Sequence, residues 1–164
     1  MSDALSGLRR VLIRDLEALG REIALFPDDA TVWRTLPGVT NSAGNLALHL
    51  CGNLQHFVGA VLGKTGYVRD RDAEFTRKNV PGPEIAREIG KTIAVVSATL
   101  GRLAPGALSD MYPAAPNNIQ VPTGLFLLHL AVHLTYHLGQ ANYLRRALTG
   151  SAASGGGVSI AGLA

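Results

Sequence analysis

Apolar residues recur every three or four positions in four long segments of the chain, the spacing that places them on one face of an α-helix. In the first segment this apolar stripe runs from Leu5 to Ile23, and most of the charged side chains lie off it. No segment alternates apolar and polar residues over the length of a strand. The pattern therefore predicts an all-α protein built as a four-helix bundle. The predicted helices cover residues 5–23, about 42–62, 85–103 and about 121–148.

The connections between the predicted helices differ in length and composition. One of residues 40–42 (Thr, Asn, Ser) is expected to cap the second helix, and Gly150 is expected to end the fourth. The connection over 63–81 is long and rich in charge, which is typical of functional or mobile loops. We expect one bundle domain over 1–149, followed by a flexible C-terminal tail over 150–164 that is rich in Gly, Ser and Ala.

The second and fourth predicted helices are almost free of charge. Residues 35–63 and 111–144 contain no Asp, Glu, Lys or Arg. A helix with one face in water normally carries charge on that face. One interpretation places both helices at the centre of the bundle. We favour the other, a homodimer that buries the outer surfaces of both helices.

Composition limits the class of protein further. Of the 164 residues, 47% are hydrophobic and only 16% are charged, which excludes an intrinsically disordered chain. The net charge of +3 comes without any run of more than two adjacent Lys or Arg, so nucleic-acid binding is not expected. The longest apolar run, 124–138, is interrupted by histidines and is too short to span a membrane. The N-terminus has no signal-peptide pattern, and the single cysteine, Cys51, is expected to be a buried structural thiol. We expect a cytoplasmic protein without membrane contacts.

All five histidines lie on the two charge-free helices. His129, His133 and His137 follow one another at intervals of four residues, so each projects within about 40° of the next on the apolar face of the fourth helix. Gln140 falls on the same arc. The opposite side of that helix carries Asn142, Arg145 and Arg146. The second helix carries a polar stripe of Asn45, His49, Asn53 and His56.

Clustered imidazoles without a carboxylate on either helix leave three interpretations open. A divalent cation satisfies the acceptor nitrogens of several neutral imidazoles at once, and His residues at i and i+4 are spaced as in helical zinc sites. Two opposed histidines can instead ligate a haem, and interior histidines can also be hydrogen-bonded core residues. A di-iron site is not expected, because bundles of that type need Glu on all four helices.

Two stretches of the chain resemble the DinB-like family. Residues 41–75, NSAGNLALHLCGNLQHFVGAVLGKTGYVRDRDAEF, resemble its second helix and following loop, with the motifs H-L-x-G-N-L and R-x-R-D-x-E-F. Residues 133–146, HLTYHLGQANYLRR, resemble its fourth-helix signature, H-x-x-x-H-x-G-Q followed by Y-L-R. Together the two stretches cover about a third of the chain.

The resemblance implies a DinB-like four-helix bundle, commonly dimeric, that holds a divalent metal ion such as nickel, zinc or iron. The first ligand of the family corresponds to His49, and the other two correspond to His133 and His137. His56 and His129 do not correspond to ligands. Some relatives are thiol transferases that use bacillithiol, or isomerases that use mycothiol.

Several further side chains are candidates for roles around these histidines. We expect Gln140, His129 and Asn53 to lie beside the metal ligands or in an adjoining pocket. We expect Arg69 or Arg71 to lie at the rim, where a guanidinium would bind an anionic substrate. Otherwise the charged side chains of the long loop are expected to form solvated or mutual ion pairs that contribute little, a set made of Arg69, Asp70, Arg71, Asp72 and Glu74.

These expectations favour a metal-dependent enzyme, a thiol (S-)transferase or hydrolase that acts on a small electrophile with a low-molecular-weight thiol or water. The alternative is a non-catalytic dimeric bundle, a stress-related binding module with a structural metal. A structural zinc site usually has four protein ligands, whereas three ligands leave a position open for catalysis. The number of protein ligands therefore distinguishes the two hypotheses.

Overall fold

The computed structural model describes residues 3–104, 106–156 and 159–163. Four long helices form a bundle, and two short helices lie in the connections between them. α3 continues without a break into a π-helical segment, Gln55–Leu62. The prediction of an all-α four-helix bundle is confirmed. In chain order the helices are α1 Asp3–Ala24, α2 Asp29–Val32, α3 Ala43–Leu54, α4 Arg71–Thr76, α5 Gly82–Arg102 and α6 Thr123–Thr149.

Local chemistry explains where the long helices begin and end. The Ser42 side chain accepts a hydrogen bond from the N–H of Asn45 at 3.2 Å and caps α3. α5 begins with Pro83 in its first turn, where the missing N–H costs nothing. α6 ends at Gly150, which adopts the left-handed conformation (φ 67°) and donates its N–H to the carbonyl of Arg146.

The core lies between the four long helices. α1 packs against α5 and α6, and α3 packs against the same two helices from the other side. The predicted apolar stripe of α1 is buried, with Leu5, Leu12, Leu16 and Leu19 fully covered. Across the described residues, no helix is both long and apolar enough to cross a membrane.

α3 is covered on all sides by its own chain. All twelve of its residues are buried, because α4 lies over the face that points away from the bundle. Asn45 holds α4 and the residues after it against α3. Its amide donates to the carbonyls of Glu74 (3.0 Å) and Arg77 (3.1 Å), and its oxygen accepts a hydrogen bond from Lys78. The absence of charge on α3 thus has a cause within one chain, and α3 keeps no outer surface for a second copy.

α6 is different, because it exposes an apolar stripe. Leu125, Leu128, Val132, Tyr136 and Tyr143 are each more than half exposed. These positions are spaced at three, four or seven residues and so lie along one side of the helix. A continuous apolar surface of this kind is typical of a contact site for another protein.

Arg145 is fully buried, although the helical pattern places it on the side of α6 opposite to the histidines. That side faces α1, where the Nε of Arg145 donates to Glu22 Oε2 at 2.7 Å. Glu22 itself is only 3% exposed. A charge off an apolar stripe is therefore not always in water, because an oppositely charged partner on the next helix makes its burial possible.

The C-terminal segment lies along α1. The N–H of Gly155 donates to the Glu22 carboxylate, and its carbonyl accepts from Arg21. Further on, the carbonyl of Leu163 accepts from Arg10. Positions 157, 158 and 164 of the predicted tail lie outside the described residues, and the flexibility of this tail stays a prediction.

Candidate metal centre

Three histidines from two helices meet between α3 and α6. The Nε2 atom of His133 lies 3.2 Å from Nε2 of His49 and 3.1 Å from Nε2 of His137. One nitrogen from each ring lies within 4.8 Å of the others. Zn–N bonds of about 2.0–2.1 Å at tetrahedral or octahedral angles place neighbouring ligand nitrogens about 2.8–3.4 Å apart. The separations of His133 from His49 and from His137 match neighbouring ligands of one cation.

His49 is oriented by a carboxylate from the long loop. Its Nδ1–H donates to Glu74 Oε2 at 2.9 Å, so Nε2 carries the lone pair that faces the other two rings. Arg69 donates to both oxygens of Glu74, at 2.6 and 2.8 Å. Burial alone would raise the pKa of Glu74, but the hydrogen bonds from Arg69 and His49 outweigh it and hold the pKa below its ordinary value. Glu74 is therefore ionised at neutral pH, and an ionised acceptor behind a histidine makes that ring a stronger ligand.

A neutral side chain orients His137 in the same way that Glu74 orients His49. Its Nδ1–H donates to Gln140 Oε1 at 2.6 Å, three residues further along α6. The lone pair of Nε2 then faces His133. The prediction that Gln140 lies beside the histidines agrees with this contact.

Burial keeps His133 and His137 neutral. It lowers the pKa of His133 to about 4, assisted by the neighbouring rings of His137 and His49. Burial also lowers the pKa of His137, although the bond to Gln140 opposes this. Neutral imidazoles are the form that binds metal, so His133 and His137 are ready to act as ligands at neutral pH.

Glu74 is the residue that the sequence pattern missed. The expected ion pair with a neighbouring charge of the loop is present, with Arg69, but Glu74 is 5% exposed, so this pair is buried and not solvated. Two features of the chain allow the Glu74 side chain to be buried against α3. Asp70 caps α4 by accepting from the N–H of Ala73, and Gly52 on α3 leaves the space in which the Glu74 carboxylate lies. A β-carbon at Gly52 would overlap that carboxylate. The signal was available, because a ligating His needs an acceptor for its second nitrogen and neither charge-free helix offers a carboxylate.

The other predicted residues lie at different distances from the triad. The exposed ring of His129 stacks on His133, with centroids 6.1 Å apart. Asn53 is 8% exposed, and its Oδ1 has no hydrogen-bond partner. Arg71 is exposed and lies 5.4 Å above the Phe75 ring. Because Phe75 in turn packs on His49, Arg71 is linked to the triad through that ring.

Cys51 is buried as expected, and it does not belong to the cluster. Burial raises the pKa of its thiol to about 12. The thiolate, which is the nucleophile and metal ligand, is therefore absent at neutral pH. Cys51 is a packing residue.

Two grooves flank the triad along α6. The larger, of about 530 Å³, lies between the 36–41 loop and the second half of α6, with Gln140 and Tyr143 in its wall. All of its lining side chains are uncharged. The smaller, of about 340 Å³, is lined by Phe126, His129 and the 116–121 segment.

Comparisons with known proteins agree with this fold. The sequence profile of the DinB superfamily matches residues 5–141. A crystal structure of a conserved protein from Enterococcus faecalis superposes with a TM-score of 0.70 at 16% identity, over 88% of this chain and 96% of that one, which shows a shared fold. No curated protein sequence matches the chain. On the match over most of its length, the chain belongs to the DinB superfamily.

Proposed function

We propose that His49, His133 and His137 bind one divalent cation and that this site is the functional centre of the protein. The observation that carries the proposal is that the Nε2 atom of His133 lies 3.1–3.2 Å from the Nε2 atoms of His49 and His137, both on rings whose Nδ1 is bound to an acceptor. A single cation would accept the lone pairs of all three atoms at once. Nitrogen ligands of this kind suit nickel, zinc or iron.

We further propose that the protein is a metal-dependent thiol transferase or hydrolase that acts on a small electrophile. A cation held by neutral imidazoles lowers the pKa of a bound water or thiol and so supplies a nucleophile near neutral pH. Among the described residues, the ligand group contains three side chains, which favours an open position over a closed structural site.

The residues around the triad have separate tasks in this proposal. Glu74 holds the proton on Nδ1 of His49 and keeps Nε2 directed at the centre. Arg69 adds positive charge beside His49 (3.4 Å between its Nη2 and Nδ1), which favours an anionic group nearby. The uncharged groove at Gln140 is large enough for the neutral body of a small electrophile.

Metal analysis of protein purified without a His-tag or nickel column tests the site. We expect about one equivalent of metal in the wild type and almost none in the His133→Ala, His137→Ala double variant. His56→Ala is the matched control, since His56 lies outside the ligand group, and it should retain metal. Equal retention by the wild type and the double variant would refute the site.

The open position has its own test. The visible spectrum of the cobalt-substituted protein should shift when azide or a small thiol is added. Transferase activity should then appear with an activated electrophile and one of several low-molecular-weight thiols, bacillithiol and mycothiol among them. A spectrum that responds to neither addition would favour the alternative, a non-catalytic bundle with a structural metal.

We also propose that the protein is a homodimer that pairs through the apolar stripe of α6 defined above. The support is the exposure of Val132 (62%) and Leu125 (54%) on a helix whose outer side carries no charge between 123 and 144. Light scattering should give a dimer mass for the wild type and a monomer mass for Leu125→Lys combined with Val132→Lys. Ile160→Lys, at an exposed apolar position outside α6, should remain dimeric. A wild-type monomer at micromolar concentration would contradict the proposal.

A further inference from the structure

The three histidines of the triad are not equally supported. His49 has Glu74 behind its Nδ1, and His137 has Gln140. The Nδ1 atom of His133 is buried and has no hydrogen-bond partner. If Nε2 of His133 ligates a cation together with the Nε2 atoms of the other two rings, its proton lies on Nδ1, where it requires an acceptor. A buried donor without an acceptor is costly, so the central ligand lacks the support that its two neighbours have.

A matching acceptor lies on α3. The Oδ1 atom of Asn53 is also buried and also has no partner. Asn53 follows His49 by one helical turn and therefore projects from the same face of α3. The residue as a whole is 8% exposed, so bulk water does not satisfy its oxygen.

The packing of the two helices places Asn53 in the seam between α3 and α6, within one helical turn of the triad. α3 and α6 run antiparallel, because His49 contacts His133 (ring centroids 5.1 Å apart) while Phe57 contacts Phe126 (also 5.1 Å). From His49 to Phe57, along α3 and its π-helical continuation, the facing residues of α6 therefore run backwards from His133 to Phe126. Asn53 lies on that path, one turn beyond the triad.

The other acceptors near the triad are already engaged. Both oxygens of Glu74 accept from Arg69, and one of them also accepts from His49. Gln140 is used by His137. Among the described residues, two buried polar atoms on the helix that carries His49 have no hydrogen-bond partner, Asn53 Oδ1 and His56 Nδ1. Asn53 is the nearer of the two to His49 along the chain, so its Oδ1 is the candidate acceptor for the Nδ1–H of His133.

We propose that Asn53 is the positioning residue of His133, with its Oδ1 accepting the Nδ1–H of that ring directly or across a single water. This inference rests on the proposed metal site. The hydrogen bond holds His133 with Nε2 towards the other two ligands, as Glu74 and Gln140 do for theirs. Each ligand then has its own acceptor, a carboxylate, an amide of α6 and an amide of α3.

The test compares Asn53→Leu, which removes the acceptor at nearly the same size, with Asn53→Asp, which keeps an acceptor. Zinc affinity is measured by competition with a chromophoric chelator, and circular dichroism reports folding. We expect Asn53→Leu to weaken zinc binding about 10- to 100-fold, the range found when a partner of a ligating His is removed, and Asn53→Asp to restore it. Asn142→Leu makes the same substitution on α6 beside Glu22, away from the triad, and should leave affinity unchanged.

The outcomes separate this inference from the proposed function. Tight binding by the wild type and unchanged binding by Asn53→Leu would overturn the role of Asn53 alone. Equal weakening by the Leu and Asp variants would overturn it as well, since that result reports packing. A wild type that binds no zinc would overturn the metal site and this inference together.

A second measurement needs no variant. In the zinc-loaded wild type, ¹⁵N NMR of the histidine rings should show His133 with its proton on Nδ1, and that proton should exchange slowly with water. Coordination of His133 through Nδ1, or rapid exchange of the proton, would contradict the proposal even if Asn53→Leu failed to fold.

Discussion

Two buried carboxylates, Glu22 and Glu74, are built alike and perform different tasks. Each is about 95% or more covered and is bound by an arginine, and their partners hold both pKa values below the ordinary range. Around Glu22 the donors are Arg145, Asn142 and the N–H of Gly155, which join α1, α6 and the C-terminal segment. Around Glu74 one donor is His49, whose other nitrogen faces the triad. The same ion-pair chemistry thus joins three segments of the chain at one place and orients a proposed metal ligand at the other.

Replacing Glu22 with Ala should have the largest effect on stability. The Arg145 left behind has no exposed surface from which to reach water. Removing one partner of a buried pair of this kind costs about 3–5 kcal/mol in the free energy of unfolding. Urea unfolding measures the loss, and Glu17→Ala, at an exposed position on the same helix, should change stability by less than about 0.5 kcal/mol. Equal small losses in both variants would show that the pair does not hold these segments together.

Replacing Glu74 with Ala should lower stability less than Glu22→Ala does, and it should also weaken metal binding. Arg69 is 12% exposed along its side chain and can turn to solvent, so we expect a stability loss of only about 1–3 kcal/mol. Metal affinity should fall about 10- to 100-fold, because His49 loses its acceptor. Glu22→Ala, assayed at a temperature where it is folded, should bind metal as the wild type does. Loss of affinity in both variants, or in neither, would remove the distinction between the two carboxylates.

Acid should abolish the contribution of Glu22 to the free energy of unfolding in a defined range of pH. Burial alone would raise the pKa of Glu22, but the bonds from Gly155, Arg145 and Asn142 bring it below 4.5. A carboxylate with a lowered pKa contributes stability that is fully present above its unfolded-state pKa and is lost as the pH falls through its folded-state pKa. The difference in unfolding free energy between the wild type and Glu22→Gln should therefore be constant down to about pH 4.5 and shrink below it. Urea titrations at several pH values measure this, and a difference that persists unchanged at pH 2.5 would be the contrary result.

The smallest effect is expected for Gly52, the glycine that leaves space for the Glu74 carboxylate. In Gly52→Ala the new methyl group should displace the carboxylate, lowering stability by about 1 kcal/mol and metal affinity several-fold. Gly90→Ala is the control, since Gly90 is exposed in α5 with open space around it and should gain up to about 1 kcal/mol from helix propensity. Unfolding and chelator competition on both variants provide the comparison. Metal affinity unchanged in Gly52→Ala would show that Glu74 adjusts without cost to His49.

The sequence predicted the helices better than it predicted their surroundings. Periodicity located the four long helices, because each presents a continuous apolar stripe to the core. It did not predict that Arg145 is buried or that Glu74 of α4 points towards His49, since both depend on pairing between distant segments. The charge-free α3 was expected to have an outer surface because each helix of a four-helix bundle has one, and the sequence did not show that α4 covers it. Spacing alone left the use of the histidines open, and the family resemblance singled out His49, His133 and His137, the three that the structure brings together.

The position of the triad in the chain has a consequence for folding. His49 and His133 are separated by 84 residues, so the proposed ligands come from opposite halves of the sequence. A bound cation would cross-link these halves and close a loop as long as many small domains. Because it requires both helices in place, it binds the native state and not the unfolded chain, and the melting temperature should rise with the concentration of free metal. Chelators should accordingly lower the melting temperature of the metal-loaded protein.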